Sequence, residues 1–268
     1  VYCTLLCKLT GTKIIIRSNS SPSGWSKNFI KKFLYKKIYG LADKIIVNSL
    51  NFKNELKYKF NLKSVCIYNP LNIKEIKKNS QRKVKINFYK KDCLNIISIA
   101  RFSDQKDHAC LIKSINILKD NYNVRLILLG SGSLKEQIQN LIKNLDLSKN
   151  IKIYDFKKNP YPYLIRSDLF VLSSKYEGSP NVLLEAIYLK KFVISSDCPT
   201  GPREILEGGK YGLLFKNDNK SDLQNKIIEF SNNKKKYYKK VLKSQKSLNK
   251  FKYSTNLSKY KFLITKLI

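Results

Sequence analysis

The densest group of chemically useful residues is YEGSPNVLLEA, 176–186, which sets two carboxylates, Glu177 and Glu185, eight residues apart. Between them Gly178, Ser179 and Pro180 read as a turn, and Pro180 suits the entry of a helix. Asn181, Val182 and Leu183 then fall in a first helical turn, whose backbone N–H groups lack helical partners and whose dipole favours an anion. Carboxylates accept two hydrogen bonds in fixed directions and suit sugar and ribose hydroxyls. The spacing therefore predicts an anion site flanked by two hydroxyl-binding acids. The plainer alternative is a strand–turn–helix whose glutamate serves its own first turn.

Three further segments carry suitable groups. ARFSDQKDH, 100–108, puts Arg101 and Lys106 on a short loop after an apolar run, where two cations could clamp a diphosphate as its charge develops. Otherwise they are two solvated charges. LLGSGSLKEQI, 128–138, places Gly130 and Gly132 between a strand and a helix, where backbone can approach a nucleotide; a G-x-G alone is weak. SSDCPTGPREIL, 195–206, carries a Pro-Thr-Gly-Pro turn that could bring Glu204 beside a bound sugar, or be an ordinary rigid turn.

These segments need strands and helices to position them. Apolar runs at 13–17, 44–49 and 65–70 read as three strands, followed by a polar, basic stretch at 71–92. A fuller series follows, with strands at 94–100, 124–130, 151–156, 168–174, 191–196 and 211–215. Helices fit at 107–120, 133–145, 160–166, 181–190 and 221–230. Ser133 and Glu136 have the spacing of a capping box. The alternation predicts an α/β fold with parallel sheets, whose ligands bind at the C-terminal ends of the strands.

Composition narrows the class. Of 268 residues, 43% are hydrophobic, enough for a packed core, and no apolar run approaches a membrane span. Lys and Arg number 53 against 19 acids, a net charge of +34. Anionic partners fit such a charge, as does AT-rich codon usage in a chain also crowded with Ile, Asn and Tyr. Only six of the basic residues are Arg, the residue preferred for base and phosphate readout, which weakens a nucleic-acid role. With one His and six Cys but no C-x-x-C pair, zinc patterns are absent, and the cysteines are expected to be reduced, mostly buried thiols of a cytosolic protein. Val1 and the lack of any Met suggest a fragment missing its N-terminus.

Two helical segments stand apart. Ser26–Gly40 sets Phe29, Ile30, Phe33, Leu34 and Ile38 on one face beside Lys27, Lys31, Lys32, Lys36 and Lys37. That is either a membrane-surface helix or a core-packed one with solvated lysines. Residues 231–268 hold 12 Lys and no acid, and Tyr260, Leu263, Ile264 and Leu267 recur there at helical spacing.

Jointly, the Glu177–Glu185 spacing, the Arg101–Lys106 pair and the glycine turn resemble the nucleotide-sugar half of family 4 glycosyltransferases, the retaining GT-B enzymes. The resemblance covers roughly 93–215 well, and 17–70 and the last helix loosely. It implies two Rossmann-like, doubly wound parallel-sheet domains. Residues 1–75 would be the remnant of an incomplete N-terminal acceptor-side domain, 76–92 a linker, 93–250 the nucleotide-sugar-binding domain, and 251–268 a helix crossing back. It further implies that Glu185 binds the ribose, Glu177 contacts the transferred sugar, and Arg101 and Lys106 hold the diphosphate. Backbone around Asp155 and Phe156 would lie near the base, although the family often has Gly where Asp155 stands. The family's N-terminal histidine has no counterpart in the RSNSS stretch at 17–21; Arg17 or Asn19 would face the cleft instead, without an assigned role. The sole His, His108, reads as a helix-start residue.

The implied activity is metal-independent transfer of a hexosyl or N-acetylhexosaminyl group, with UDP-sugars favoured as donors. The acceptor would be a glycan or lipid-linked molecule in surface polysaccharide or lipopolysaccharide assembly. The nucleotide-sugar is then a substrate, and neither a cofactor nor nucleic acid is expected. The location would be cytoplasmic, with an anionic membrane surface on the inner face of the cytoplasmic membrane as a further partner. A polybasic nucleic-acid-binding module and a GT-B sugar-nucleotide epimerase are the competing readings.

Overall fold

The computed structural model of the protein describes residues 2–19, 28–198 and 200–267. Two parallel sheets organise it. The first has three strands, β1 (Ile15–Ser18), β2 (Lys44–Val47) and β3 (Val65–Cys66), in the order β1-β2-β3. The second has six, β4 (Leu94–Ile99), β5 (Val124–Leu129), β6 (Ile151–Tyr154), β7 (Leu169–Leu172), β8 (Phe192–Ser196) and β9 (Leu213–Phe215), in the order β6-β5-β4-β7-β8-β9. All pairings are parallel, which accounts for the near-continuous apolar runs: both faces of the large sheet are buried. Alternate side chains go to separate cores. Ile96, Leu126, Leu128, Val171 and Ile194 face one layer of helices, and Ile97, Ile127, Leu129, Phe170 and Val193 face the other.

The chain runs outward from β4 through β5 to β6, then restarts at β7 on the opposite side of β4. The loops after β4 and β7 therefore flank the point where strand order reverses, the place where open α/β sheets bind ligands.

The basic stretch 71–92 is not simply a linker. Ile73–Ser80 forms a helix capped by Asn72, with Ile76 buried. Tyr68, Leu71, Ile76 and Ile86 join the core of the large sheet, so a boundary at 75/76 cuts through one packed layer. A high density of lysine masks the few apolar residues that decide this packing. A helix at Leu50–Phe60, not anticipated from the pattern, buries Phe52, Leu56 and Phe60 beneath the small sheet. The capping box at Ser133 does not form: the helix runs Lys135–Asn144, begins after Leu134 and has no side-chain cap.

The helix Phe29–Gly40 turns an unexpected face inward. Tyr35 is its buried residue, stacked on Tyr39 with ring centroids 3.7 Å apart and donating to Ser18 Oγ at 3.3 Å. Phe29, Ile30, Phe33 and Leu34 are exposed, at 79%, 66%, 50% and 50%. Ser26 and Lys27 lie outside the described residues. At the other end of the chain, the helix Tyr253–Thr265 packs Leu263 against Ile46 of β2 and Ile67, with Tyr260 and Leu267 alongside. Cys93, Cys110 and Cys198 are buried thiols, and burial pushes the last two up to about 12.

Candidate active site

The loops after β4 and β7 are stitched together. Lys175 N donates to Gln105 O at 2.8 Å, Gln105 Nε2 to Tyr176 O at 2.9 Å, and Ser173 Oγ to Lys106 O at 2.9 Å. This frame brings Lys106 Nζ within 2.5 Å of Glu177 Oε1, which also accepts from Ser174 Oγ at 2.6 Å. Glu177 is buried, and Thr200 Oγ1 donates to its backbone carbonyl. Lys106 is thus not a free cation beside Arg101. One of its N–H groups is committed to Glu177, leaving its remaining donors for an incoming anion.

Arg101 is exposed and lines a cleft of about 580 Å³ at the C-terminal ends of β4 and β5. Gly130, Phe156, Tyr161 and Glu185 line the same cleft, together with Lys157 and Lys158. Burial raises the Glu185 carboxyl to about 7; the Tyr161 hydroxyl opposes that rise and the Glu75 carboxylate adds to it. The cleft therefore has an aromatic ring and cations at its rim and one carboxylate at its wall. That set suits a base, a diphosphate and a ribose.

Of the expected site residues, Arg101, Gly130, Phe156 and Glu185 meet in the cleft, while Glu177 and Lys106 form their own pair beside it. Gly130 and Gly132 are required for a reason other than an approaching nucleotide. A Cβ on Gly130 would lie 2.0 Å from Ala100 O, and one on Gly132 would lie 2.3 Å from Phe102 O. These glycines let the loops after β4 and β5 cross. Asp155 turns away from the cleft and pairs with Lys135 at 2.5 Å, which holds its carboxyl below the usual range. The helix Asn181–Tyr188 begins after Pro180 without a side-chain cap. Leu183 is buried in the core, Val182 packs beside it and Asn181 is exposed, so the backbone N–H groups and the Asn181 amide are what could serve an anion.

Glu204 does not point to a sugar site. Its carboxylate accepts from Leu50 N and Asn51 N, each at 3.2 Å, and from Tyr68 Oη at 2.6 Å. It caps the helix Leu50–Phe60 across the two sheets. His108 opens the helix His108–Leu118, buried edge-on to Phe102, with neither ring nitrogen hydrogen-bonded. Burial lowers it to about 4.

Residues that pattern reasoning missed cluster where the sheets meet. Asn69, after β3, accepts from Arg17 Nη2 at 2.6 Å and donates to Ser179 O at 3.0 Å and Asn181 Oδ1 at 2.7 Å. Gly178 lies so close to Asn19 that a Cβ would sit 1.6 Å from its carbonyl oxygen. A single Asn after a strand gives no signal in sequence, whereas Lys157, Lys158 and Tyr161 could have been found as the loop following the strand at 151–156.

The sequence and the fold match known proteins. Residues 79–251 match the family model described as glycosyl transferases group 1, and the chain belongs to that family. It is 36% identical over 230 residues to an uncharacterized glycosyltransferase of Methanocaldococcus jannaschii, covering 76% of this chain and 56% of that protein. It is 29% identical over 272 residues to the N-acetylgalactosamine-N,N'-diacetylbacillosaminyl-diphospho-undecaprenol 4-alpha-N-acetylgalactosaminyltransferase of Campylobacter jejuni, covering 97% and 73%. Among solved structures, Anabaena HepE in complex with UDP superposes with a TM-score of 0.81 at 18% identity, covering 98% of this chain and 75% of that one. Staphylococcus aureus TarM, in a complex that includes UDP, gives 0.79 at 21% identity, covering 96% and 52%. These likenesses establish the GT-B fold. The chain spans little more than half the length of the archaeal relative and of TarM.

Proposed function

We propose that the protein is part of a retaining glycosyltransferase that moves a sugar from a nucleotide-sugar, UDP-linked by preference, to a glycan or lipid-linked acceptor in surface polysaccharide assembly. The observation that carries this reading is the Lys106–Glu177 pair set beside a cleft lined by Arg101 and Glu185, at the strand-order switch of the large sheet. Glu185 accepts hydrogen bonds from ribose hydroxyls in the ionised state. Phe156 offers a face to the base at the rim. Arg101 and the spare donors of Lys106 receive the diphosphate, whose charge grows as the glycosidic bond breaks. The hydrogen bond from Lys106 orients the Glu177 carboxyl toward the sugar.

Two features of the relatives support the class of substrate: the UDP present in the HepE and TarM structures, and the N-acetylgalactosaminyl transfer named for the C. jejuni protein. Among the described residues no three His, Cys, Asp or Glu side chains group as metal ligands. The exposed Phe29, Ile30 and Phe33, beside Lys31, Lys36 and Lys37, support peripheral binding to an anionic membrane on the cytoplasmic side, where a lipid-linked acceptor would sit. Among the described residues no helix is long and apolar enough to cross a membrane.

Calorimetry with UDP, and with an oligonucleotide as the competing ligand, tests the reading. Saturable one-site UDP binding that Arg101→Ala weakens is expected. Salt-sensitive oligonucleotide binding with no UDP binding contradicts it.

A further inference from the structure

We propose that Asn69 is a positioning residue that holds the Glu177–Asn181 loop from the opposite sheet and so fixes how Glu177 is presented to a bound donor. The inference rests on the donor-site reading above and assigns it a residue from the other domain.

Both hydrogens and the oxygen of the Asn69 amide are engaged. Its oxygen accepts from Arg17 Nη2 at 2.6 Å, and its nitrogen donates to Ser179 O at 3.0 Å and to Asn181 Oδ1 at 2.7 Å. One side chain therefore ties the end of β1 to the turn after Glu177 and to the first residue of the helix behind it. Arg17 is itself backed by the Tyr260 ring of the C-terminal helix, 6.0 Å away. The contact is close: Gly178 abuts Asn19 O, which also accepts from Asn48 Nδ2 at 3.1 Å. Two independent sets of bonds thus fix this loop. Lys106, Ser174 and Thr200 hold Glu177 from within the large sheet. Asn69 holds the residues that follow it from the small one.

This division predicts what loss of Asn69 does. Glu204 keeps the sheets together through Leu50 N, Asn51 N and Tyr68 Oη, so removing Asn69 does not part them. The cleft lined by Arg101, Phe156 and Glu185 does not include the 177–181 loop, so nucleotide binding stays near its original strength. The angle of the loop changes, and misplacement of a reacting group by about 1 Å can cost about 100-fold in rate. Asn69→Asp is the sharper variant. It keeps the Arg17 partner but turns an acceptor toward the Ser179 carbonyl.

The test combines three measurements on the parent, Asn69→Ala and Asn69→Asp. Amide hydrogen exchange is followed for a peptide spanning 177–183, UDP affinity by calorimetry, and turnover on a UDP-sugar panel. Both variants are expected to exchange faster in that peptide, to keep UDP affinity within about threefold, and to lose about 10–100-fold in kcat. Unchanged exchange overturns the inference. So does faster exchange with UDP affinity and kcat falling together, which marks a purely structural residue. A parent that turns over no nucleotide-sugar refutes the donor-site reading instead, and the exchange comparison still decides whether Asn69 holds the loop.

Discussion

Lys106 and Glu177 meet at the strand-order switch of the large sheet, Nζ to Oε1 at 2.5 Å, although 71 residues separate them in the chain. The β4 loop supplies the cation and the β7 loop the anion, so the pair exists only when β4 and β7 lie side by side. Both groups are largely buried, and leaving one charge without its partner there is costly. Lys106→Met is therefore expected to destabilise the fold by about 3 kcal/mol and to abolish turnover. Lys106→Arg should restore most of the stability. Urea denaturation of the two variants checks the pairing.

Arg101 makes the opposite case. Its side chain is exposed at the cleft, and Arg101→Ala should leave stability within about 0.5 kcal/mol of the parent. Turnover should fall about 100–1000-fold if the guanidinium receives developing diphosphate charge. Unaltered turnover at saturating donor would remove Arg101 from the mechanism.

Glu185 sets a pH dependence. Burial holds its carboxyl near 7 against an ordinary 4.5, so the neutral acid favours the folded chain below about 4.5, and that stability is lost as pH rises through about 7. Ribose binding runs the other way, because the ionised carboxylate is the better acceptor. Affinity for a nucleoside, which carries no titrating phosphate, should therefore increase as pH rises through about 7. Glu185→Gln should flatten that profile and weaken binding about 10–100-fold. A profile that stays sloped in the variant assigns the titration to another group.

His108 behaves inversely in stability. Burial lowers it from 6.5 to about 4, so it adds stability above about 6.5 that is lost as pH falls through about 4. The contribution is about 3 kcal/mol at most. His108→Phe should make stability less dependent on pH between 4 and 6.5. Equal acid sensitivity in parent and variant would show that other groups dominate.

How far sequence leads differs by element. Strands β4, β5 and β7 were readable because burial on both faces leaves little but Leu, Ile, Val and Phe in them. Glu177, Glu185 and the turn between them were readable because one helix start fixes their spacing. Partners in three dimensions were not. Lys106 could be seen as a cation but not as Glu177's counter-ion, and Gly130 and Gly132 answer to the Ala100 and Phe102 carbonyls. Of the two readings of 26–40, the core-packed one does not hold, because the small core under β2 takes Tyr35 and leaves Phe29 and Phe33 in solvent.

That exposed face yields a surface prediction. Replacing Lys31, Lys32, Lys36 and Lys37 with Gln should release the protein from anionic vesicles, at about 1 kcal/mol per Lys near the surface. Binding of the parent should weaken as salt rises from 0.1 to 1 M, where the Debye length falls from about 10 to 3 Å. Co-sedimentation equal to the parent's would exclude this helix as the anchor and turn attention to the lysines of 234–252.

The most direct measurement is turnover on a panel of nucleotide-sugars by the parent and Glu177→Gln, with release of nucleoside diphosphate as the readout. Glu177→Gln keeps a side chain of the same shape against Lys106 and Ser174 but removes its charge. The account predicts that the parent releases diphosphate from at least one sugar nucleotide, UDP-linked first. It predicts that Glu177→Gln still binds UDP within about threefold and turns over about 100–1000-fold more slowly. Turnover in the variant equal to the parent's would contradict the role given to the Lys106–Glu177 pair.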